Sequence, residues 1–201
     1  MGYTLATSAT GSYDSVVGTN ILQKYSDMLG LSTKAGVEIE EGTPQASNTY
    51  AVPSAIGQGN ARYSTLNLAR YCTTLATDGT VYDLTLIDKI CDSSGNLIEE
   101  NTANVSNQLS IDSSIWTTVR SGMTLAAETY SALNALGLKI AAKSGTAQEK
   151  KTESDHSLLI TYAPYDDPEI CTAMCIQHGY GSGTSIELTA KVYQIYYGLS
   201  Q

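Results

Sequence analysis

Four consecutive residues carry the chemistry most readily read from this chain: Lys143, Ser144, Gly145 and Thr146. They fall in the middle of an apolar run expected to be a β-strand. A lysine resists burial and a glycine weakens a strand interior, so both need a reason to be there. A ligand lying against the strand supplies one. Lys143 would offer positive charge, Ser144 and Thr146 hydroxyl donors for a carboxylate, and Gly145 room for a substrate backbone. A backbone N–H of the same strand can point at a developing oxyanion. The plain alternative is an edge strand protected by its lysine.

Other reactive side chains read structurally. The four cysteines are Cys72, Cys91, Cys171 and Cys175, too few for a disulfide scaffold in 201 residues. Cys171 and Cys175, four strand residues apart, would stand ~13 Å from each other, beyond disulfide reach. Buried thiols are expected, with pairing of Cys91 to Cys171 or Cys175 left open. His156 and His178 have no acidic or thiol cluster near them in sequence, so no metal site is expected. Glu40-Glu41 and Glu99-Glu100 look like solvated charge, Lys150-Lys151 like an ordinary polar stretch, and Trp116 like core. Ser94-Gly95-Asn96 sits in a hairpin turn.

The elements that would position these residues follow from apolar spacing. Residues 1–12 are small and polar and carry little structure of their own. A helix is expected over Ile21–Leu29, stopped by Gly30. Residues 34–60 form a long connection with Pro44 and Pro53, of a length that is often functional. Within it, Gln58 and Asn60 are candidates to line a cleft or simply to form a turn. A helix capped by Ser64 runs to about Thr77. Val81–Cys91 is expected as one strand, paired with Leu97–Glu99 through the Asp92–Asn96 turn. Asp112 caps a third helix, with Ile115, Val119, Met123, Ala126, Tyr130 and Leu133 on its apolar face. Strands are expected at Leu138–Gln148, His156–Ala163 and Glu169–Gln177, then a helix from about Ser185 to Tyr197. Three successive strands closed by a helix predict an α+β fold, an antiparallel sheet covered by helices.

Composition limits the function. Eleven basic residues stand against twenty acidic, for a net charge of −9. That argues against nucleic-acid binding, which needs clustered Lys and Arg. There is no Phe and there are fourteen Tyr, so buried tyrosine hydroxyls need partners. No apolar run approaches the roughly 20 residues that span a bilayer, and no signal peptide opens the chain. The piece as given is expected to be soluble.

The order of several segments resembles the transpeptidase domain of class B, high-molecular-weight penicillin-binding proteins. Ala55-Ile56-Gly57-Gln58-Gly59 is similar to that family's AIGQG loop, and Ser64-Thr65-Leu66-Asn67-Leu68-Ala69 to its TPLQLA helix start. Asp78-Gly79-Thr80-Val81-Tyr82 resembles GGTVY, and Leu138 through Gln148 resembles VAGKTGTAQ. Ala163 through Ile170, His178-Gly179 and the closing helix follow in order. The resemblance runs from about residue 18 to 198. Its strength lies in the ordered set, since each segment alone is short.

In that family SxxK, SxN and KTG share one cleft. The resemblance implies that Lys143 supplies electrostatics and a proton-relay contact. It implies that Ser144, Gly145 and Thr146 bind the carboxylate of a D-Ala-D-Ala stem peptide or a β-lactam, with the Thr146 N–H in the oxyanion hole. Ser144 stands where Thr is more usual and keeps the hydroxyl. The departure is that no lysine has Ser or Thr three residues before it, so SxxK is absent, and SxN occurs only in the turn. The resemblance thus implies residues 1–201 to be the C-terminal portion of a single transpeptidase domain, truncated at its N-terminus. Met1 would be an imposed start, and the remaining N-terminal segment of the domain a natural partner. Self-association through uncovered apolar surface is expected. The parent would be a serine D,D-transpeptidase of peptidoglycan biosynthesis, membrane-anchored, with this domain extracytoplasmic and no cofactor. This chain alone is expected to be inactive. The rivals are a β-lactam sensor or serine β-lactamase relative, and a non-catalytic binding or scaffold module.

Overall fold

The computed structural model describes residues 1–9 and 11–199. Seven helices and seven strands are laid out along these residues, and a three-stranded sheet organises them. Strands β5 (Ala141–Ala147), β6 (His156–Ala163) and β7 (Ile170–Ile176) are antiparallel in the order β5-β6-β7. The register sets Lys143 opposite Ile160, Ser144 opposite Leu159 and Thr146 opposite Ser157. The expected α+β architecture is therefore present: β6 has its expected bounds, and β5 and β7 are shorter than expected by one to three residues at their ends.

Successive side chains of a strand point to opposite faces, and here both faces are buried. On one face Ala141, Ile160 and Tyr162 pack with Cys72, Leu75 and Ala76 of α4 (Thr65–Ala76) and with Trp116 and Met123 of α5 (Ser113–Thr129). On the other, Ala142, Leu159 and Ala163 meet Ala127, Leu133 of α6 (Ser131–Asn134), and Ile186, Ala190 and Tyr193 of α7 (Ser182–Tyr197). Hydroxyls replace the missing phenylalanines. The Tyr193 hydroxyl bonds Thr161 Oγ1, which also bonds Thr172 Oγ1 at 2.6 Å. Arg120 Nε donates to the Tyr162 hydroxyl at 3.0 Å.

Helix α4 starts where its sequence says. Ser64 accepts from the Asn67 N–H and the Asn67 side chain accepts from the Ser64 N–H, a reciprocal capping box. Asp112 caps α5 through the Ser114 N–H.

Several expectations are corrected. The N-terminal dozen is not without structure: α1 (Gly2–Thr7) packs against α2 (Ser15–Met28) and α3 (Ala51–Ser54). Helix α2 begins at Ser15 because Asp14 caps it. The long connection contains α3 and a bridge between Gln45 and Arg62. Val81–Cys91 is not one strand. Strand β1 (Thr80–Asp83) pairs with β4 (Asn104–Gln108), and β2 (Lys89–Cys91) with β3 (Leu97–Glu100). Between β1 and β2 the chain is drawn off the ladder, because the Glu38 carboxylate takes the Leu86 N–H at 2.9 Å and the Thr85 hydroxyl. Helix α5 departs from its expected face at its start and near its end: Ile115 and Val119 are exposed and Ala127 rather than Ala126 is buried, while Met123 and Trp116 are buried as expected. The indole carries the larger apolar area, and Arg120, one turn on, needs that side to reach Asp78, Tyr162 and Tyr165. No helix among the described residues is long and apolar enough to cross a membrane.

Candidate functional site

Strand β5 pairs with β6 alone among the described residues, so it is the edge of the sheet. In an antiparallel edge strand every second residue points its backbone N–H and C=O away from the ladder. Lys143, Ser144, Gly145 and Thr146 form the middle of that edge. Lys143 and Thr146 are exposed, and Ser144 and Gly145 are half-buried.

The four residues divide between the two faces of the sheet. Ser144 and Thr146 share the face of Ala142, whereas Lys143 and Gly145 share the face of Ala141. The Lys143 ammonium donates to the Ser144 carbonyl. Ser144 Oγ lies 2.8 Å from the Tyr130 hydroxyl. Gly145 has a packing reason as well, since a Cβ there would come within 3.3 Å of Leu158 Cβ across the strand pair.

This edge is open. Cavities of about 280 Å³ and 130 Å³ lie elsewhere. The larger is bounded by the end of α5 and residues 137–140, and the smaller by the β2–β3 hairpin. Lys143 through Thr146 line neither, so the cleft that the resemblance implies beside Lys143 is not one of these cavities, and the residues lie on an exposed strand edge.

Gln58 and Asn60 belong to a different neighbourhood. Asn60 Oδ1 accepts from Ser47 Oγ at 3.0 Å, from the Asn48 N–H at 3.0 Å and from Thr49 Oγ1 at 3.2 Å. Its amide nitrogen donates to Asn48 Oδ1. The Asn60 side chain thus ties the two sides of the 47–60 loop together. Gln58 is half-buried next to it, and its N–H closes a turn on Pro53 O.

The remaining sequence candidates resolve as follows. Ser94-Gly95-Asn96 is the β2–β3 turn: Asp92 Oδ1 accepts from the Ser94 and Asn96 N–H groups. The Asn96 side chain leads the contacts that hold the Asp92 carboxyl below its ordinary range. Glu41 is not merely solvated, since its two oxygens accept the Ala35 and Gly36 N–H groups at 2.8 Å. All four thiols are free. Only Cys72 is buried, Cys171 is half-buried, and Cys91 and Cys175 are exposed, which corrects the expectation of four buried thiols.

The histidines do gain acidic neighbours. Their rings lie 5.1 Å apart, with His156 Nε2 3.2 Å from Glu149 and His178 Nε2 3.9 Å from Glu153. The His178 N–H donates to His156 Nδ1, fixing the proton of a neutral His156 on Nε2. Glu149 and Glu153 stand within seven residues of His156, a signal already present in the sequence; only His178 is brought to them by the turn after β7. Among the described residues no set of three or more potential ligands is disposed to hold a metal.

Comparison with known proteins gives a consistent answer. A family model described as the penicillin binding protein transpeptidase domain matches residues 10–196. Penicillin-binding protein 2A of Bacillus subtilis (strain 168) is 29% identical over 181 residues, covering 79% of this chain and 25% of that protein. The chain thus spans about a quarter of that curated relative's length. Among solved structures, penicillin-binding protein A from M. tuberculosis, in an imipenem acyl-enzyme complex, aligns with a TM-score of 0.80 at 19% identity, over 90% of this chain and 42% of that one. Penicillin-binding protein 2B from Streptococcus pneumoniae (strain R6) aligns with a TM-score of 0.74 at 23% identity, over 92% and 34%. These likenesses show the fold.

Proposed function

This chain belongs to the penicillin-binding protein transpeptidase family, and on that footing we propose that it is the C-terminal portion of one transpeptidase domain whose β5 edge docks an acyl-peptide carboxylate. Lys143 attracts the carboxylate, Ser144 and Thr146 donate hydroxyl hydrogens to it, and the Thr146 N–H faces the reacting carbonyl. The ligand class is a stem peptide ending in D-Ala-D-Ala, or a β-lactam. The parent enzyme works outside the cytoplasm from a membrane anchor. The attack belongs to a serine that this chain does not supply, since no SxxK occurs in it. The single observation that carries the reading is that an ammonium and two hydroxyls lie in register on the free edge of an antiparallel sheet of this family's fold.

The binding is measured by ligand-observed NMR with an acetylated peptide ending in D-Ala-D-Ala. Lys143→Ala is expected to weaken it about tenfold or more, the size of one charge-assisted hydrogen bond, with the fold intact because Lys143 is exposed. A fluorescent penicillin is expected to leave no covalent band on denaturing gels. A labelled band overturns the assignment of the nucleophile to another segment.

A second reading has an observation in its favour. Lys143 is exposed and lines neither cavity described, as a lysine that only guards an edge strand would be. It predicts that Lys143→Ala leaves peptide binding unchanged. The exposed Ile115, Val119 and Leu125 of α5 also support self-association of this chain, which sedimentation at increasing concentration reads directly.

A further inference from the structure

The hydroxyl beside Ser144 belongs to a residue that no motif contains. We infer that Tyr130 is a positioning residue for the β5 edge: its phenolic hydroxyl donates to Ser144 Oγ and so directs the single serine proton at a bound carboxylate. The inference rests on the carboxylate-docking reading above and adds a residue fourteen positions upstream of Ser144.

The placement of Tyr130 is well defined. It stands between α5 and α6 with φ −92° and ψ 98°, the extended residue at which one helix ends and the next begins. Its N–H donates to Ala127 O, and its carbonyl accepts from the Leu133 and Asn134 N–H groups. It packs against the apolar cluster of Ala127, Leu133, Ile140 and Ala142. The ring is thus held from both sides in sequence and by the core beneath. Its hydroxyl ends 2.8 Å from Ser144 Oγ.

Proton bookkeeping then fixes the direction of that bond in the bound state. Each hydroxyl has one hydrogen and can accept two. An ionised carboxylate only accepts. When one binds at Ser144, the serine hydrogen must point to it, so the Tyr130 hydrogen must point to Ser144 Oγ. The chain Tyr130 to Ser144 to carboxylate then runs one way, and each bond polarises the next. Without the phenol hydroxyl the serine can still donate, but it rotates freely and is not polarised.

The test uses the 201-residue chain and two probes, the acetylated D-Ala-D-Ala peptide and its C-terminal amide. Tyr130→Phe removes the hydroxyl and keeps the ring. It is expected to weaken binding of the acid about threefold to tenfold, one neutral hydrogen bond, and to leave the amide unchanged. Ser144→Ala weakens the acid as well, and the double variant is expected to be no weaker than Ser144→Ala alone. That non-additivity is what a merely structural tyrosine would not produce. Wild-type affinity for the acid in Tyr130→Phe, with Lys143→Ala still weakened, overturns the role of Tyr130 and leaves the docking reading standing. Equal binding of acid and amide by the wild-type chain overturns both. Should Tyr130→Phe fail to fold, the Tyr130 Cζ chemical shift in Ser144→Ala answers instead: a shift from wild type supports the bond, and an unchanged resonance overturns it.

Discussion

Arg70 of α4 and Asp83 at the end of β1 form an ion pair 3.0 Å long whose halves sit in different surroundings. The arginine side chain is 4% exposed and the aspartate side chain 36%. Arg70 also donates to Tyr82 O at 2.6 Å, Thr33 Oγ1 at 2.8 Å, Lys34 O at 2.9 Å and Ser106 Oγ at 2.7 Å. One guanidinium therefore ties the helix, both strands of the β1–β4 pair and the loop after α2. Five donors in a planar fork make arginine the residue for such a place.

Arg70→Ala is accordingly expected to cost about 3–5 kcal/mol, because it orphans several buried acceptors as well as Asp83. Urea unfolding measures it. A loss below about 1 kcal/mol would show that water replaces the guanidinium, and that Arg70 is not the tie described.

Gly79 gives a second prediction. Its φ is +101°, and a Cβ there would lie 2.7 Å from Trp116 Cζ2 and 3.0 Å from Leu109 Cβ. Gly79→Ala combines a left-handed backbone with overpacking against the indole, so a loss of about 2 kcal/mol or more is expected. The Trp116 fluorescence maximum should move with it. Wild-type stability and an unshifted spectrum would contradict this contact.

At high pH the tyrosines control stability. Burial pushes the Tyr162 hydroxyl up to about 12, against the opposing pull of Arg120. An unfolded tyrosine titrates near 10. Between about pH 10 and 12 the unfolded chain gives up its proton first, so stability falls as pH rises. Below pH 10 the group contributes no slope. Tyr193 is pushed in the same direction by burial, so Tyr162→Phe is expected to shrink the alkaline loss without abolishing it. Urea midpoints at pH 8 and pH 11 for both proteins decide the point, and identical slopes would remove Tyr162 from the account.

The capping box at α4 supplies a smaller effect. Ser64→Ala leaves the Asn67 N–H without its acceptor and is expected to cost about 1 kcal/mol. Asn67→Ala should cost more, because Asn67 is buried and its amide also donates to Thr33 O at 2.9 Å. The two measured costs in reverse order would show that the Thr33 contact adds nothing.

Much of this is legible in the amino-acid order. Ser64 and Asp112 announced their helices because a cap is a local hydrogen bond between neighbours in sequence. The three-strand run with its closing helix was legible from apolar runs and turn residues, and Lys143 through Thr146 stood out because a lysine and a glycine conflict with a strand interior. The family followed from the order of short segments. The failures have a common cause. The break between β1 and β2 is set by Glu38, more than forty residues away. The face of α5 is chosen by what Arg120 must reach. The His156–His178 contact exists because β6 and the turn after β7 converge.

The amino-acid order alone thus determined the capped starts of α4 and α5, the run of β5, β6 and β7 with its closing helix, and which residue types could hold a carboxylate, since those depend on near neighbours and on the side chains themselves. It could not say that β5 lies at the sheet's edge, that the edge is open, or that Tyr130 reaches Ser144. Those are consequences of strand order and of where a helix ends in space, and only the packed chain brings residues so far apart within a hydrogen bond of each other.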